Sequence, residues 1–132
     1  MKIIPLHGLN QKLRKLKQGV TLYQVYAFPH TSADSNGNYG WITKVRCNSR
    51  PQVEISDWRY HFINVTVIDD DRPSSYECDK SLKDMGLIEN NYNYHKTFFT
   101  ENKAKAYLAD ITRRCNANKL YYQRRGASAH GI

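Results

Sequence analysis

Three segments rich in β-branched and aromatic residues follow one another along the chain, and no helical pattern separates them. They cover residues 20–28, 41–47 and 60–68. Such a composition is typical of strands. The first two are expected to form an antiparallel hairpin with a long connection, because a parallel pair requires a crossover that is usually a helix and none is indicated here. The first connection contains Asn36-Gly37, a dipeptide common in turns. The order of the segments therefore predicts an antiparallel sheet.

Helical spacing appears near the start of the chain. Leu9, Leu13 and Leu16 recur at intervals of four and three residues and make a narrow apolar stripe. Gly19 follows, and glycine is the usual residue where a helix ends in a left-handed conformation. The pattern predicts a short helix over residues 9–18.

A longer helix is predicted after the strands. Thr100 is a candidate N-cap, and Glu101 would lie favourably in the first turn. An amphipathic face of more than three turns follows, formed by Ala104, Tyr107, Leu108, Ile111 and Cys115.

Strands grouped between two helices indicate an α+β fold. We expect an antiparallel sheet of three to four strands, with an N-terminal and a C-terminal helix packed on one face. The fourth strand is the short segment 96–99, and residues 53–55 are a candidate edge strand. Residues 1–125 form a single domain in this interpretation. The small and polar residues 126–132 form a flexible C-terminal tail.

The segment between the third and fourth strands has no clear period. Asp79 is a candidate cap for a short helical turn through Leu82 and Met85. Gly86 is where such a turn would end.

The formal net charge of +8 comes from the two ends of the chain. Residues 1–19 and 112–132 hold ten of the twenty lysines and arginines and no carboxylate, whereas the middle holds all twelve acidic residues. Such asymmetry suggests a polyanionic partner. The candidate binding residues are these basic side chains and two neighbouring tyrosines that could stack on bases: Lys12, Arg14, Lys15, Lys17, Arg113, Arg114, Lys119, Tyr121, Tyr122, Arg124 and Arg125.

The same residue types also suit roles that involve no nucleic acid. Basic residues on a solvated helix face keep a protein in solution without binding anything, and Arg113 and Arg114 suit the last turns of a helix because of its dipole. Tyrosine and arginine are also favoured in protein interfaces. The partner predicted from the sequence is therefore a nucleic acid or an acidic protein surface.

Several classes of protein are disfavoured by what the sequence lacks. No stretch approaches the roughly 20 apolar residues of a membrane span, and three scattered cysteines indicate reduced thiols in the cytoplasm. The five histidines form no metal-binding motif with the cysteines, and no nucleotide-binding or hydrolase fingerprint occurs. We predict no membrane association, no catalytic residue, no metal and no cofactor.

The leading hypothesis is a small non-enzymatic protein that binds DNA or RNA through its basic ends. The alternative is a protein-interaction module or an inhibitor of a host macromolecule, of the kind that a phage, another virus or a mobile element encodes. A third hypothesis is a divalent-metal nuclease that uses Asp69, Asp70 and Asp71. An acidic run before Arg-Pro is, however, also ordinary turn chemistry.

Overall fold

The computed structural model describes residues 2–5, 11–29, 33–55, 59–68, 75–88 and 94–117. Within these ranges the fold is α+β, as predicted, and every strand pairing is antiparallel. The elements in chain order are β1 (Lys2–Pro5), α1 (Gln11–Arg14), β2 (Thr21–Ala27), β3 (Gly40–Cys47), β4 (Gln52–Ile55), β5 (Arg59–Ile68), β6 (Tyr76–Ser81), β7 (Lys96–Phe98) and α2 (Glu101–Ala117).

Strand β5 is the centre around which the sheet is built. One edge of β5 pairs with β6 over six residues. The opposite edge pairs first with β4 and then with β3, so these two strands lie end to end. Strand β1 pairs with β4, β2 pairs with β3, and β7 pairs with β2. The sheet is therefore widest where β7, β2, β3, β5 and β6 lie side by side.

The two faces of the sheet bury different sets of residues. We call the face that carries Leu22, Val45 and Val65 the inner face; the register places all three side chains on the same side. We call the face that carries Val25 and Ala27 the helix face, because successive residues of a strand point to opposite sides. All five side chains are buried, as expected of a sheet that is covered on both faces.

Helix α2 covers the helix face over β2, β3 and β7. Its buried residues Ala104, Ile111 and Cys115 pack in one cluster with Val25 and Ala27. The predicted N-cap is confirmed, since the backbone N–H of Lys103 donates to the Thr100 hydroxyl at 3.3 Å. The amphipathic pattern in the sequence therefore predicted correctly which face of this helix packs on the sheet.

The inner face is covered by two short segments. Leu13 and Leu16, at and just after the end of α1, join the core cluster of that face together with Leu82, Met85 and Leu87. The second segment is a compact turn over residues 82–88, which follows β6 and leads towards β7. Its backbone closes with a hydrogen bond from Leu87 N–H to the Leu82 carbonyl, 3.0 Å long.

The prediction of an N-terminal helix over residues 9–18 is wrong. The structure has a single helical turn, Gln11–Arg14, and it lies on the inner face, opposite α2. A very short helix gains little from its own hydrogen bonds, because nucleation is unfavourable. Burial of Leu13 and Leu16, each 5% exposed or less, fixes the segment instead. Gly19 has the predicted positive φ, 91°, but it does not end the helix, which stops at Arg14; it lies in the turn that leads into β2.

The predicted number of strands, three to four, is too low. The described residues form seven strands, of which β1 and β6 were not predicted. Strand β6 contains no β-branched residue and is held by its pairing with β5. Asp79 lies inside this strand, so its predicted role as a helix cap is also wrong. Residues 53–55 do form a strand, but β4 lies between β1 and β5 rather than at an edge.

The predicted flexible tail, residues 126–132, lies outside the described part of the chain. The boundary of the domain at residue 125 therefore stays a prediction. Neither of the two helices in the described ranges is long and apolar enough to cross a bilayer.

Candidate functional site

The sheet curls towards its inner face, and this curl brings distant strands together. The Lys80 ammonium of β6 donates a hydrogen bond of 2.5 Å to the Tyr26 hydroxyl of β2, although β5 and β3 lie between these strands. The same ammonium is 5.2 Å from the centre of the Tyr26 ring. The two distances place the ammonium beyond the hydroxyl and not over the ring face, so the hydrogen bond is the contact that links the two sides of the concave surface.

Four aromatic side chains gather on the inner face beside this contact. We call Tyr26, Phe28, Trp41 and His95 the aromatic cluster. Tyr26 stacks on Trp41 with ring centres 5.3 Å apart, and Phe28 lies 5.1 Å from Trp41. His95 meets both Tyr26 and Phe28 edge-on at 5.1 Å. Trp41 is 54% exposed, so its large ring presents a surface to solvent.

A cleft of about 360 Å³ opens beside the aromatic cluster. Gln24 of β2 lies in its wall and is 1% exposed. The side-chain carbonyl oxygen of Gln24 is buried and accepts no hydrogen bond from any residue that the structure describes. A buried acceptor without a donor is unusual in a folded protein. The full lining is Gln24, Tyr26, Asp79, Lys80, Ser81, Asp84 and His95.

The turn over residues 82–88 fixes one wall of this cleft. The hydroxyl of Thr97, which is fully buried, donates to the Met85 carbonyl at 2.7 Å and ties the turn to β7. Gly86 has a φ of 68°, and a Cβ at this position would lie 2.2 Å from the His95 carbonyl oxygen. Only glycine permits so close an approach of two backbones.

The cleft is richer in hydrogen-bond acceptors than in cations. Burial lowers the pKa of His95, and a hydrogen bond to the backbone of Asp84 and the Asp84 carboxylate partly offset that effect. The imidazole is therefore neutral at neutral pH. Among the described residues of the lining, Lys80 is the one cation, and the carboxylate of Asp84 accompanies it. The Asp79 carboxylate accepts from the Asn64 amide on the opposite face of the β5–β6 pair, because successive residues of a strand alternate between faces.

The predicted N-terminal basic residues lie on the same side of the sheet as this cleft. Arg14, Lys15 and Lys17 are exposed. They flank Leu13 and Leu16, which pack on the inner face. The segment joins β2 next to Cys47, whereas Tyr26 and Trp41 lie at the other end of β2 and β3, so these charges are separated from the aromatic cluster along the strand.

The predicted C-terminal basic residues lie elsewhere. Arg113 and Arg114 belong to α2, which covers the helix face, and both form ion pairs with Asp110. The Arg114 Nε to Asp110 Oδ2 distance is 2.9 Å. A broad, open depression of about 630 Å³ runs along this part of α2 and includes Thr112 and Arg113. The structure thus does not bring the described members of the two basic groups together.

The remaining candidates lie outside the described residues. They are the side chain of Lys12, and Lys119, Tyr121, Tyr122, Arg124 and Arg125. The same is true of Asp69, Asp70 and Asp71, the hypothetical nuclease residues. Among the side chains that are described, no group of three or more histidines, cysteines or acidic residues could hold a metal ion.

The aromatic cluster and the cleft were not predicted from the sequence. One signal was present: Gln24 interrupts an otherwise apolar and aromatic strand, where a polar side chain is costly to bury. The contacts of Lys80 and His95 with Tyr26 could not be predicted from the sequence, because they depend on the unpredicted strand β6 and on the curl of the sheet.

Residues 10–111 match a family model described as phage g100-like protein. A search among curated proteins and one among solved structures found no match. The matched range is well over half of the 132-residue chain and includes all residues that line the cleft. The chain therefore belongs to the phage g100-like protein family.

Proposed function

We propose that the protein is a phage-encoded, non-enzymatic protein that binds single-stranded nucleic acid on its inner face. The observation that carries this proposal is the solvent-facing stack of Trp41 on Tyr26 with the Lys80 ammonium beside it. Proteins that bind single strands combine aromatic rings, on which bases stack, with positive charges that follow the backbone. The family description supports the phage origin.

Trp41 supplies the stacking surface in this proposal. Its indole contacts Tyr26 and Phe28 and is 54% exposed, so a base that stacks on the exposed part meets a ring that is already oriented. Stacking of one base on an aromatic side chain contributes about 1–3 kcal/mol. This interaction does not depend on the base, because every base has a π-face.

Arg14, Lys15 and Lys17 supply the phosphate contacts. They are exposed, they flank two leucines that pack on the inner face, and no ion pair engages them among the described residues. They lie at the end of β2 opposite the stack, so a strand that contacts both runs along the inner face. Phosphate contacts release counterions, so the affinity falls with salt in proportion to their number. Arg113 and Arg114 lie on the helix face and share an ion pair with Asp110, which offsets one of their two charges, so we assign them a minor part.

The proposal is tested by fluorescence anisotropy with a labelled single strand of about 15 nucleotides, a length within the usual range of site sizes. We expect binding at about 50 mM salt that weakens steeply as salt is added. Trp41→Ala should weaken binding by roughly tenfold, in line with the loss of one stacked base. Simultaneous alanine substitution of Arg14, Lys15 and Lys17 should reduce the logarithmic salt slope by about 2, since each phosphate contact contributes roughly 0.7 on single strands.

A control that also removes positive charge is available on the opposite face. The double variant Arg113→Ala, Arg114→Ala removes two positive charges on the helix face and should change the dissociation constant by less than about twofold at physiological salt, where distant charges are screened. Absence of binding by the wild type at about 50 mM salt, where such contacts are strong, rejects the proposal. An unchanged affinity of the Trp41 variant rejects the assigned surface.

A second candidate function is docking on an acidic protein surface, including inhibition of a host macromolecule. Tyr76 of β6 is 62% exposed, and no described strand pairs with the outer edge of β6. Exposed strand edges accept an additional strand from a partner. A pull-down from lysate after nuclease treatment separates the two candidates, because a protein partner remains bound when nucleic acid has been removed.

A further inference from the structure

We infer that Lys80 is a positioning residue: its hydrogen bond to Tyr26 holds the aromatic cluster in the orientation on which a base stacks, and its ammonium does not contact a phosphate. The inference rests on the proposed function and assigns a role to the cation of the cleft. It starts from the position of that ammonium, which lies 2.5 Å from the Tyr26 hydroxyl oxygen and 5.2 Å from the ring centre.

The side chain of Lys80 points into the curl of the sheet and not out to solvent. It lies opposite Ile63 in the register of β5 and β6, and Ile63 is fully buried on the inner face. Lys80 is half-buried, whereas Lys15 and Lys17, to which we assign phosphate contacts, are exposed. Among the described residues, its hydrogen bond goes to Tyr26 and no ion pair engages it. These contacts favour an internal role for Lys80.

The hydrogen bond fixes the end of the Tyr26 side chain that the backbone does not hold. Strand β2 anchors the Cβ, and the hydroxyl lies at the opposite end of the ring. His95 meets the ring edge-on at 5.1 Å and limits its movement on another side. Hydrogen bonds from a charged donor are stronger than those between neutral groups. The ring is therefore restrained at both ends and keeps one orientation.

Trp41 depends on this restraint. Tyr26 and Trp41 lie directly opposite each other in the register of β2 and β3, with ring centres 5.3 Å apart and planes 25° apart. Because Trp41 is 54% exposed, its contacts with Tyr26 and Phe28 restrain only part of the indole. When the Tyr26 ring is loosened, the indole gains freedom that it must lose again when a base binds. Ordering of side chains on binding lowers affinity.

Two single substitutions distinguish a positioning role from a phosphate contact. Lys80→Met removes the ammonium, whereas Tyr26→Phe removes only the hydroxyl and keeps both the stacked ring and the charge of Lys80. In the anisotropy assay each variant should bind the single strand roughly threefold to fivefold more weakly, a smaller loss than that of a whole stacked base. The double variant should bind no more weakly than either single variant, because both substitutions remove the same contact.

The salt dependence of binding provides a second readout. Lys80→Met should leave the logarithmic salt slope unchanged, whereas the loss of a phosphate contact on a single strand reduces it by about 0.7. Lys103→Met is the matched control, since Lys103 is exposed on α2 and the substitution removes the same charge. It should change the dissociation constant by less than about twofold at physiological salt, where distant charges are screened.

The mobility of Trp41 tests the restraint without any nucleic acid. In the Trp58→Phe background Trp41 is the single indole of the chain. Its steady-state fluorescence anisotropy should fall in both Lys80→Met and Tyr26→Phe, because side-chain motion on the nanosecond scale depolarises the emission. Lys103→Met should leave this anisotropy unchanged.

The outcomes separate this inference from the function on which it rests. If the wild type does not bind the strand at about 50 mM salt, where phosphate contacts are strong, the proposed function fails and the role of Lys80 fails with it. If the wild type binds but Tyr26→Phe keeps its affinity, or if Lys80→Met lowers the salt slope by about 0.7, the function stands and the positioning role is wrong. Unchanged anisotropy of the Trp41 emission in both variants also overturns the positioning role, whether or not nucleic acid binds.

Discussion

Gly86→Ala is the substitution that most sharply tests how the cleft is built. Gly86 has a φ of 68°, and its Cβ would lie 2.2 Å from the carbonyl oxygen of His95. Two costs follow. The left-handed conformation costs a residue with a Cβ roughly 1–2 kcal/mol. The short contact forces the 82–88 turn and the backbone at His95 apart, a change comparable to overpacking a core, which costs about 1–3 kcal/mol.

The control is Gly19→Ala. Gly19 also has a positive φ, 91°, but no atom lies within 4 Å of the position its Cβ would take. This variant therefore carries only the conformational cost of about 1–2 kcal/mol. The difference between the two variants isolates the close approach of the turn to His95. We expect Gly86→Ala to lose about 1–3 kcal/mol more free energy of unfolding than Gly19→Ala.

Urea denaturation followed by circular dichroism measures both values. The free energy of unfolding is obtained from the midpoint and the slope of each transition, and equal slopes show that the comparison is valid. Both variants should remain folded, since a domain of this size has a total stability of about 5–15 kcal/mol. Equal losses in the two variants would refute the packing of the 82–88 turn against His95.

Three further outcomes follow from the inner face and the core. Burial lowers the pKa of His95 below its ordinary value of 6.5, so the unfolded chain takes up this proton first as the pH falls. The stability should therefore decline below about pH 6.5, and His95→Gln should lose less stability between neutral and mildly acidic pH in thermal melts; an identical decline contradicts the assignment. Thr97→Val removes the buried hydrogen bond to the Met85 carbonyl and should cost about 1–3 kcal/mol, whereas Thr97→Ser keeps the donor and should cost clearly less; equal costs would show that the hydrogen bond is unimportant. Burial raises the pKa of Cys47 to about 11, so mass spectrometry after iodoacetamide treatment at about pH 8 should show the partly buried Cys78 modified well before Cys47, and the reverse order would contradict the burial.

The class of the fold followed from the sequence because its longest elements carry strong local patterns. Strand β5 alternates buried Ile63, Val65 and Val67 with more polar residues, and α2 repeats buried Ile111 and Cys115 at helical spacing. These patterns reflect burial on one face directly. The predictions for β5 and α2 were correct because the conformation that each segment prefers locally is also the one that buries its apolar face in the folded protein.

The prediction from the sequence failed for segments whose conformation is decided by strand pairing or tertiary packing and not by local preference. Strand β6 is polar, with Asp79 and Lys80 in its centre, and only the neighbouring edge of β5 makes it a strand. The N-terminal leucines, Leu13 and Leu16, were spaced as on a helix and became anchors of an irregular segment on the inner face. Composition indicated a binding surface, but the position of that surface depends on the curl that joins Lys80 to Tyr26.

The meaning of the net charge also changes once the two faces are distinguished. Basic residues at both ends of the chain suggested one polyanion surface, yet Arg113 and Arg114 pair with Asp110 on the helix face. Arg14 and Lys15 flank leucines that pack on the opposite, inner face. A positive net charge favours encounters with polyanions in general, but it does not locate a contact surface.

The most direct test of the proposed binding surface is the fluorescence of Trp41 during a titration with single-stranded nucleic acid. The chain contains two tryptophans, so Trp58→Phe leaves Trp41 as the single indole reporter. Stacking of a base on the exposed Trp41 ring predicts saturable quenching with the same midpoint as the anisotropy of the labelled strand. Unchanged emission while the anisotropy rises would show that the nucleic acid binds away from the inner face.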